Sequence, residues 1–205
     1  MPDDPDPTAW FEQLYRGAAA GRDTVPWDRG EPSALLTQWA EQQRLDGTGR
    51  SAIVVGCGLG RDAELIARRG FATTAFDVSP TAISGARERY PDTAVDYQVA
   101  DLRRLPDAWQ RHFDLVVESL TVQSLPIDLR DLTIRAISEL VAPSGTLIVL
   151  AVKREAGADV AGPPWPLTRS EIDAFAATGL SPVSVEEISD ADEPGIHRWR
   201  AELQR

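Results

Sequence analysis

The sequence predicts an α/β domain: a mostly parallel sheet of seven strands, helices on both faces, and an N-terminal lid. Three observations predict it. At Ser51–Asp62, SAIVVGCGLGRD, a short apolar strand runs straight into a glycine turn and a helix start. From there to Val152, apolar runs of strand length alternate with helical segments, the pattern of βαβ units. Acids stand at or just after the ends of three of these strands: Asp77, Asp101 and Glu118. Strand, glycine turn and helix N-terminus together make a Rossmann-like cradle, where missing side chains let a ligand approach the backbone and free N–H groups favour a polar or anionic group.

Taken in order, residues 1–7 read as a polar, disordered tail. Trp10, Phe11, Leu14 and Tyr15 fall three or four apart and predict a short amphipathic helix ending near Gly17. Gly17 to Arg22 is small and flexible, and Val25 to Pro32 is turn-rich. Leu35, Leu36, Trp39 and Ala40 share one face of a second helix. The first strand is Ala52–Val55. The helix after it carries acids in its first turn and Arg68 and Arg69 in its last, as its dipole favours, and stops at Gly70. Ala72–Phe76 is the second strand. Ser79 caps the next helix with Pro80 at its first position, and that helix runs to Arg89. Ala94–Val99 and Phe113–Val117 are the third and fourth strands. Leu129–Val141 reads as a helix and Gly145–Val152 as the fifth strand. Thr168-Arg-Ser-Glu171 is a capping box. Ser181–Glu187 and Ile196–Leu203 close the sheet. The organisation is one domain over 8–205, with lid helices in 8–46 and the core in 51–205.

Composition narrows the function. At 205 residues one domain is expected, with 42% hydrophobic and 26% charged residues, ordinary for a globular protein. The net charge of −11, without a basic cluster, argues against a nucleic-acid partner. No run approaches membrane-spanning length, and residues 1–7 lack the apolar core of a secretory signal. With the single Cys57, which cannot pair within the chain, this suggests a cytoplasmic protein. His112 and His197 have no Cys or acid at metal-ligand spacing, so no metal is expected. No Gly-x-Ser-x-Gly elbow supports a hydrolase.

The glycine spacing excludes two nucleotide loops. A dinucleotide fingerprint needs its third glycine at Arg61, and a phosphate-binding P-loop needs Gly-Lys-Ser/Thr where Gly60 is followed by Arg61-Asp62. Gly56-x-Gly58-x-Gly60 resembles motif I of the class I S-adenosylmethionine-dependent methyltransferases, a loop under the amino-acid part of that cofactor. Many members carry an acid where this chain has Val54, but the thiol, halide and thiopurine branch often lacks it. An acid at the second strand end, Asp77, 21 residues after Gly56, accepts from ribose hydroxyls, with Val78 as an apolar wall for the adenine. Asp101 and Leu102 meet the adenine edge. Glu118 opens toward the reacting centre, to hold the methionine ammonium, orient the acceptor or act as base. Asp62 reads as an N-cap, outside this set.

The stretch Trp10…Tyr15-Arg16-Gly17…Pro26-Trp27-Asp28-Arg29-Gly30-Glu31-Pro32 resembles the N-terminal segment of the thiol and halide methyltransferases, relatives of thiopurine methyltransferase. The resemblance implies a lid in which Trp27 lies against the methionine part of the cofactor, its indole N–H reaching the carboxylate, while Trp10 and Tyr15 line the same side. Eight residues separate Gly17 from Pro26, more than that family leads one to expect. Trp165, in the stiff Gly162–Pro166 loop, is a candidate wall of the acceptor pocket. The function implied is methyl transfer from S-adenosylmethionine to a small molecule, a thiol or another soft nucleophile. Transfer to nitrogen or oxygen of a natural-product intermediate is one alternative, and a non-catalytic cofactor- or nucleotide-binding protein a second.

Overall fold

β1 (Ser51–Val55) is apolar on both faces and sits at the centre of the sheet, as its sequence requires. The computed structural model describes residues 6–190 and 193–205. Most of the expected tail, residues 1–5, lies outside the described residues. Asp6 is held: its Oδ1 accepts from the Thr8 N–H at 3.0 Å and pairs with Arg103 at 2.9 Å.

β2 (Ala72–Asp77), β3 (Asp96–Val99), β4 (Phe113–Ser119), β5 (Val141–Val152), β6 (Ser181–Ser189) and β7 (His197–Gln204) join β1 in the order β3-β2-β1-β4-β5-β7-β6. The sheet is mixed, which corrects the expectation of a mostly parallel one. β3, β2, β1, β4 and β5 pair in parallel, whereas β7 is antiparallel to both β5 and β6. The reason is connection length. Seven residues separate the end of β6 from the start of β7, too few for the crossover that parallel neighbours need, so the two pair as a hairpin.

Among the described residues six α-helices accompany the sheet: α1 (Ala9–Ala19), α2 (Ala34–Gln42), α3 (Arg61–Arg68), α4 (Pro80–Arg89), α5 (Arg130–Ser138) and α6 (Arg169–Asp173). Alternate residues of β1 face opposite layers. Ile53 and Val55 join a core with Val116, Ile137, Leu147 and Phe175, while Ala52 and Val54 join Leu36, Ala63, Ile66 and Val117. The Ser79 hydroxyl accepts from Ala82 N–H, and Thr168 and Glu171 form the reciprocal capping box, both as the sequence signals. The helix expected over 129–141 stops at Ser138, and Val141 already pairs with Phe113. Pro143 bars a longer helix, and Gly145 is needed where a Cβ would come 2.9 Å from the carbonyls of Ala142 and Phe113.

The chain leaves β1 toward β2 on one side, and β4 lies on the other. Strand order reverses there, and the crevice outside the carboxyl ends of β1 and β4 is where an open α/β sheet takes its ligand. No helix among the described residues is long and apolar enough to cross a membrane.

Candidate active site

A cavity of about 910 Å³ occupies that crevice. Its floor is the turn after β1. Gly56, Gly58 and Gly60 all have positive φ (57°, 53° and 88°), so the turn depends on glycine at each place. Their surroundings differ. A Cβ on Gly58 would come 2.7 Å from the Tyr15 hydroxyl, and one on Gly56 2.4 Å from Thr121 Oγ1. Both residues line the cavity. Gly60 does not. A Cβ there would meet the Tyr97 hydroxyl at 2.2 Å, so its requirement is packing beneath α3.

Asp77 ends β2 at the cavity wall, 6% exposed. Its Oδ2 accepts from the Gly58 N–H at 3.0 Å and its Oδ1 from the Ser79 N–H at 2.9 Å. Burial, opposed by these bonds, pushes its carboxyl up to about 6. Each oxygen keeps a lone pair for a ligand hydroxyl. Val78, Asp101 and Leu102 line the same wall. Asp101 is gripped by Arg103 (Nη2 to Oδ2, 2.7 Å); burial raises its carboxyl, but the Arg103 bonds outweigh that and hold it below the usual range.

Over this floor lie α1 and the loop after it. Trp10, Tyr15 and Trp27 all line the cavity, with Trp10 stacked on Phe11 (centroids 3.9 Å) and edge-on to Trp27 (6.0 Å). The Trp27 indole N–H donates to the Tyr15 hydroxyl at 2.9 Å, so it is not free for a cofactor carboxylate as expected. α1 is tied down by Glu12, which accepts from the Ser79 and Thr81 hydroxyls at 2.6 and 2.7 Å. Asp28 accepts from Arg61 at 2.5 Å and Arg89 at 2.9 Å, and Arg29 pairs with Glu193 across the rim.

Besides Gly60, two further expected site residues lie elsewhere. Glu118 is fully buried and does not line the cavity. Its Oε1 accepts from the N–H groups of Thr121 and Val122 at 2.8 and 2.9 Å, and its Oε2 has no partner. On β4 it pairs with Val55 and Val149, so its side chain is directed into an apolar layer, and that burial pushes its carboxyl up to about 7. Its Oε1 caps the loop after β4. Trp165 is also away from the cavity: its ring packs on Gly162, and Pro163 and Pro164 form the wall instead.

Among the cavity residues that the sequence did not mark are Asp62 and Gln123. Asp62 is not the cap of α3; Gly60 holds that position, and Asp62 Oδ1 accepts from the Ser33 N–H at 2.8 Å, joining α3 to the start of α2. Gln123, in a short 3₁₀ turn after β4, is 4% exposed and lines the cavity while its Oε1 accepts from the Val152 N–H at 2.7 Å. No sequence motif marks Gln123, since its position depends on β5 lying beside β4.

Comparison with known proteins gives a consistent picture. Residues 52–145 match a family described as a methyltransferase domain. Over 167 residues the chain is 28% identical to a 2-heptyl-1-hydroxyquinolin-4(1H)-one methyltransferase of Mycobacteroides abscessus, covering 79% of this chain and 72% of that one. Over 108 residues it is 32% identical to a ubiquinone biosynthesis O-methyltransferase of Xanthomonas campestris, covering 52% of this chain and 44% of the other, so it spans under half the length of that relative. A structure from work on the conversion of a disulfide bond into a thioacetal group during echinomycin biosynthesis superposes with a TM-score of 0.77 at 24% identity, covering 97% and 92% of the two chains. The 1,6-didemethyltoxoflavin-N1-methyltransferase of Burkholderia thailandensis, with 1,6-didemethyltoxoflavin and S-adenosylhomocysteine bound, superposes with a TM-score of 0.72 at 17% identity, covering 98% and 90% of the two chains. At these identities the two structures establish the shared fold.

Proposed function

We propose that this chain is an S-adenosylmethionine-dependent methyltransferase that methylates an acidic hydroxyl on a small, largely apolar ring compound. One observation carries the reading: the cavity joins the glycine floor to the aromatic α1–Trp27 wall, and no histidine or lysine is among its described lining residues. Bound S-adenosylmethionine supplies a methyl group already attached to a positively charged leaving sulfur. The protein's task is then to align the acceptor and exclude water, work worth about 7–11 kcal/mol of barrier. On this reading Gly56 and Gly58 admit the amino-acid part of the cofactor, Asp77 takes its ribose hydroxyls, and Val78, Asp101 and Leu102 surround the adenine. Trp10, Phe11 and Leu14 wall off the acceptor, and residues 8–32 serve as a lid.

Without an imidazole or a neutral amine among the described lining residues to take a proton, an acceptor that is already ionised near neutral pH suits the site. The 2-heptyl-1-hydroxyquinolin-4(1H)-one named for the Mycobacteroides relative carries a hydroxyl on its ring. A thiol is the second reading, supported by the Pro26-Trp27-Asp28 segment and by the ready formation of thiolates. A turnover assay over hydroxyquinolones, phenols, thiols, iodide and ring amines, measuring S-adenosylhomocysteine release, tests both. Transfer confined to thiols or amines sinks the hydroxyl reading, and absence of S-adenosylmethionine binding sinks the premise.

A further inference from the structure

We propose that Gln123 is the specificity-determining residue for the acceptor, its side-chain N–H binding the acceptor's oxygen; this rests on the hydroxyl reading above. The amide orientation follows from chemistry. The Val152 N–H needs an acceptor and lies 2.7 Å from one amide atom, which must therefore be the oxygen. That leaves the NH₂ end of Gln123, a residue 4% exposed, which makes no hydrogen bond among the described residues. It is not sealed inside the protein, since the buried unpartnered side-chain atoms among the described residues are Glu118 Oε2 and Arg130 Nε; Gln123 borders the cavity beside Val152, Pro163 and Pro164, where its NH₂ is open to a ligand.

The residue is held from two directions. Its backbone carbonyl accepts from the Trp165 N–H at 2.7 Å, which fixes the 163–165 loop against it. The neighbouring hydroxyls are already committed: Ser124 Oγ donates to the Leu120 carbonyl at 2.8 Å and Thr121 Oγ1 to that of Val55 at 3.0 Å. At this end of the cavity Gln123 therefore presents a fixed donor. Amide N–H groups bond oxygen well and sulfur weakly, so the donor selects oxygen acceptors over sulfur ones.

The test is binding of 4-nitrophenol and 4-nitrothiophenol to the S-adenosylhomocysteine complex by calorimetry, at a pH where both are anions. The readout is the oxygen-to-sulfur affinity ratio in wild type, Gln123→Met and Gln123→Glu. Met removes the donor without adding charge. Glu keeps an acceptor for Val152, and its charge acts on both ligands alike, so either variant serves if the other fails to fold. The expected result is a wild type that favours oxygen and a ratio lowered about tenfold or more in each variant that still binds S-adenosylhomocysteine. A ratio within about twofold of wild type, a wild type that favours sulfur, or no binding of either ligand overturns the assignment. Turnover of the same pair with S-adenosylmethionine judges the hydroxyl reading separately. Methylation of sulfur alone defeats that reading, while the binding ratio still decides Gln123.

Discussion

The carboxylate of Asp77 accepts from the N–H of Gly58 at 3.0 Å, so the acid at the end of β2 fixes the glycine turn after β1. One residue thus shapes the turn and faces the cavity. Asp77→Ala leaves the Gly58 and Ser79 N–H groups without their acceptor. Unfolding experiments should show a loss of about 1–3 kcal/mol, and calorimetry a loss of S-adenosylmethionine affinity of about tenfold or more. Full affinity in the folded variant would remove Asp77 from the site.

The same residue predicts a pH dependence. Burial raises its carboxyl from 3.8 to about 6. A carboxylate is the form that accepts from ribose hydroxyls, so cofactor affinity should rise with pH through about 6 and then level. Stability runs the other way. Between about pH 4 and 6 the folded state holds a proton that the unfolded state has lost, so this group's contribution falls as pH rises through that window. A binding profile flat from pH 5 to 8 would contradict the ribose role.

Glu118 separates stability from catalysis. Its carboxyl is raised from 4.5 to about 7 by burial, so its contribution to stability should fall as pH rises across that interval. In Glu118→Gln the amide oxygen still caps Thr121 and Val122, and nothing at this position titrates. Melting temperatures at pH 5 and 7.5 should differ less in the variant than in wild type, with kcat kept within about threefold. A drop of a hundredfold or more in kcat would restore Glu118 as the catalytic base.

Much of the fold was legible because its signals are local. The Gly-x-Gly-x-Gly turn, the Ser79 cap and the Thr168–Glu171 box each depend on residues a few places apart. The site was legible where acids end strands and illegible where side chains choose between faces. Asp77 and Glu118 both close apolar strands, yet Asp77 borders the cavity while Glu118 turns into the layer of Val55 and Val149. Gly60 reads as a ligand contact until Tyr97, brought in on β3, is seen beneath it. The antiparallel β7 was hidden because weak alternation in a late segment carries no direction.

Gly60 supplies a test of that distinction. Gly60→Ala puts a Cβ on a backbone at φ 88° and 2.2 Å from the Tyr97 hydroxyl. The loss of stability should be about 1–3 kcal/mol, while the folded variant keeps its cofactor affinity within a few-fold. The double variant with Tyr97→Phe should recover part of the stability, since the clashing oxygen is gone. Affinity lost in step with stability would return Gly60 to the cofactor contacts.

The proposed lid is a statement about motion, and three ion pairs bear on it. Asp28 ties the loop to α3 and α4 through Arg61 and Arg89, and Arg29 ties it to the far rim at Glu193. Between α1 and these anchors, residues 19–24 are exposed, with Gly21 at φ 69° and nothing within 4 Å of its missing Cβ. That segment can pivot while the ends hold. Asp28→Asn weakens both ion pairs without removing a wall residue. Hydrogen exchange of residues 8–32 should slow when S-adenosylhomocysteine binds, and Asp28→Asn should speed it in the free protein. In turnover the variant should raise KM for S-adenosylmethionine more than it lowers kcat, because opening competes with binding before any methyl moves. Equal protection with and without ligand would make the segment a fixed wall, its aromatic residues serving only to shape the cavity.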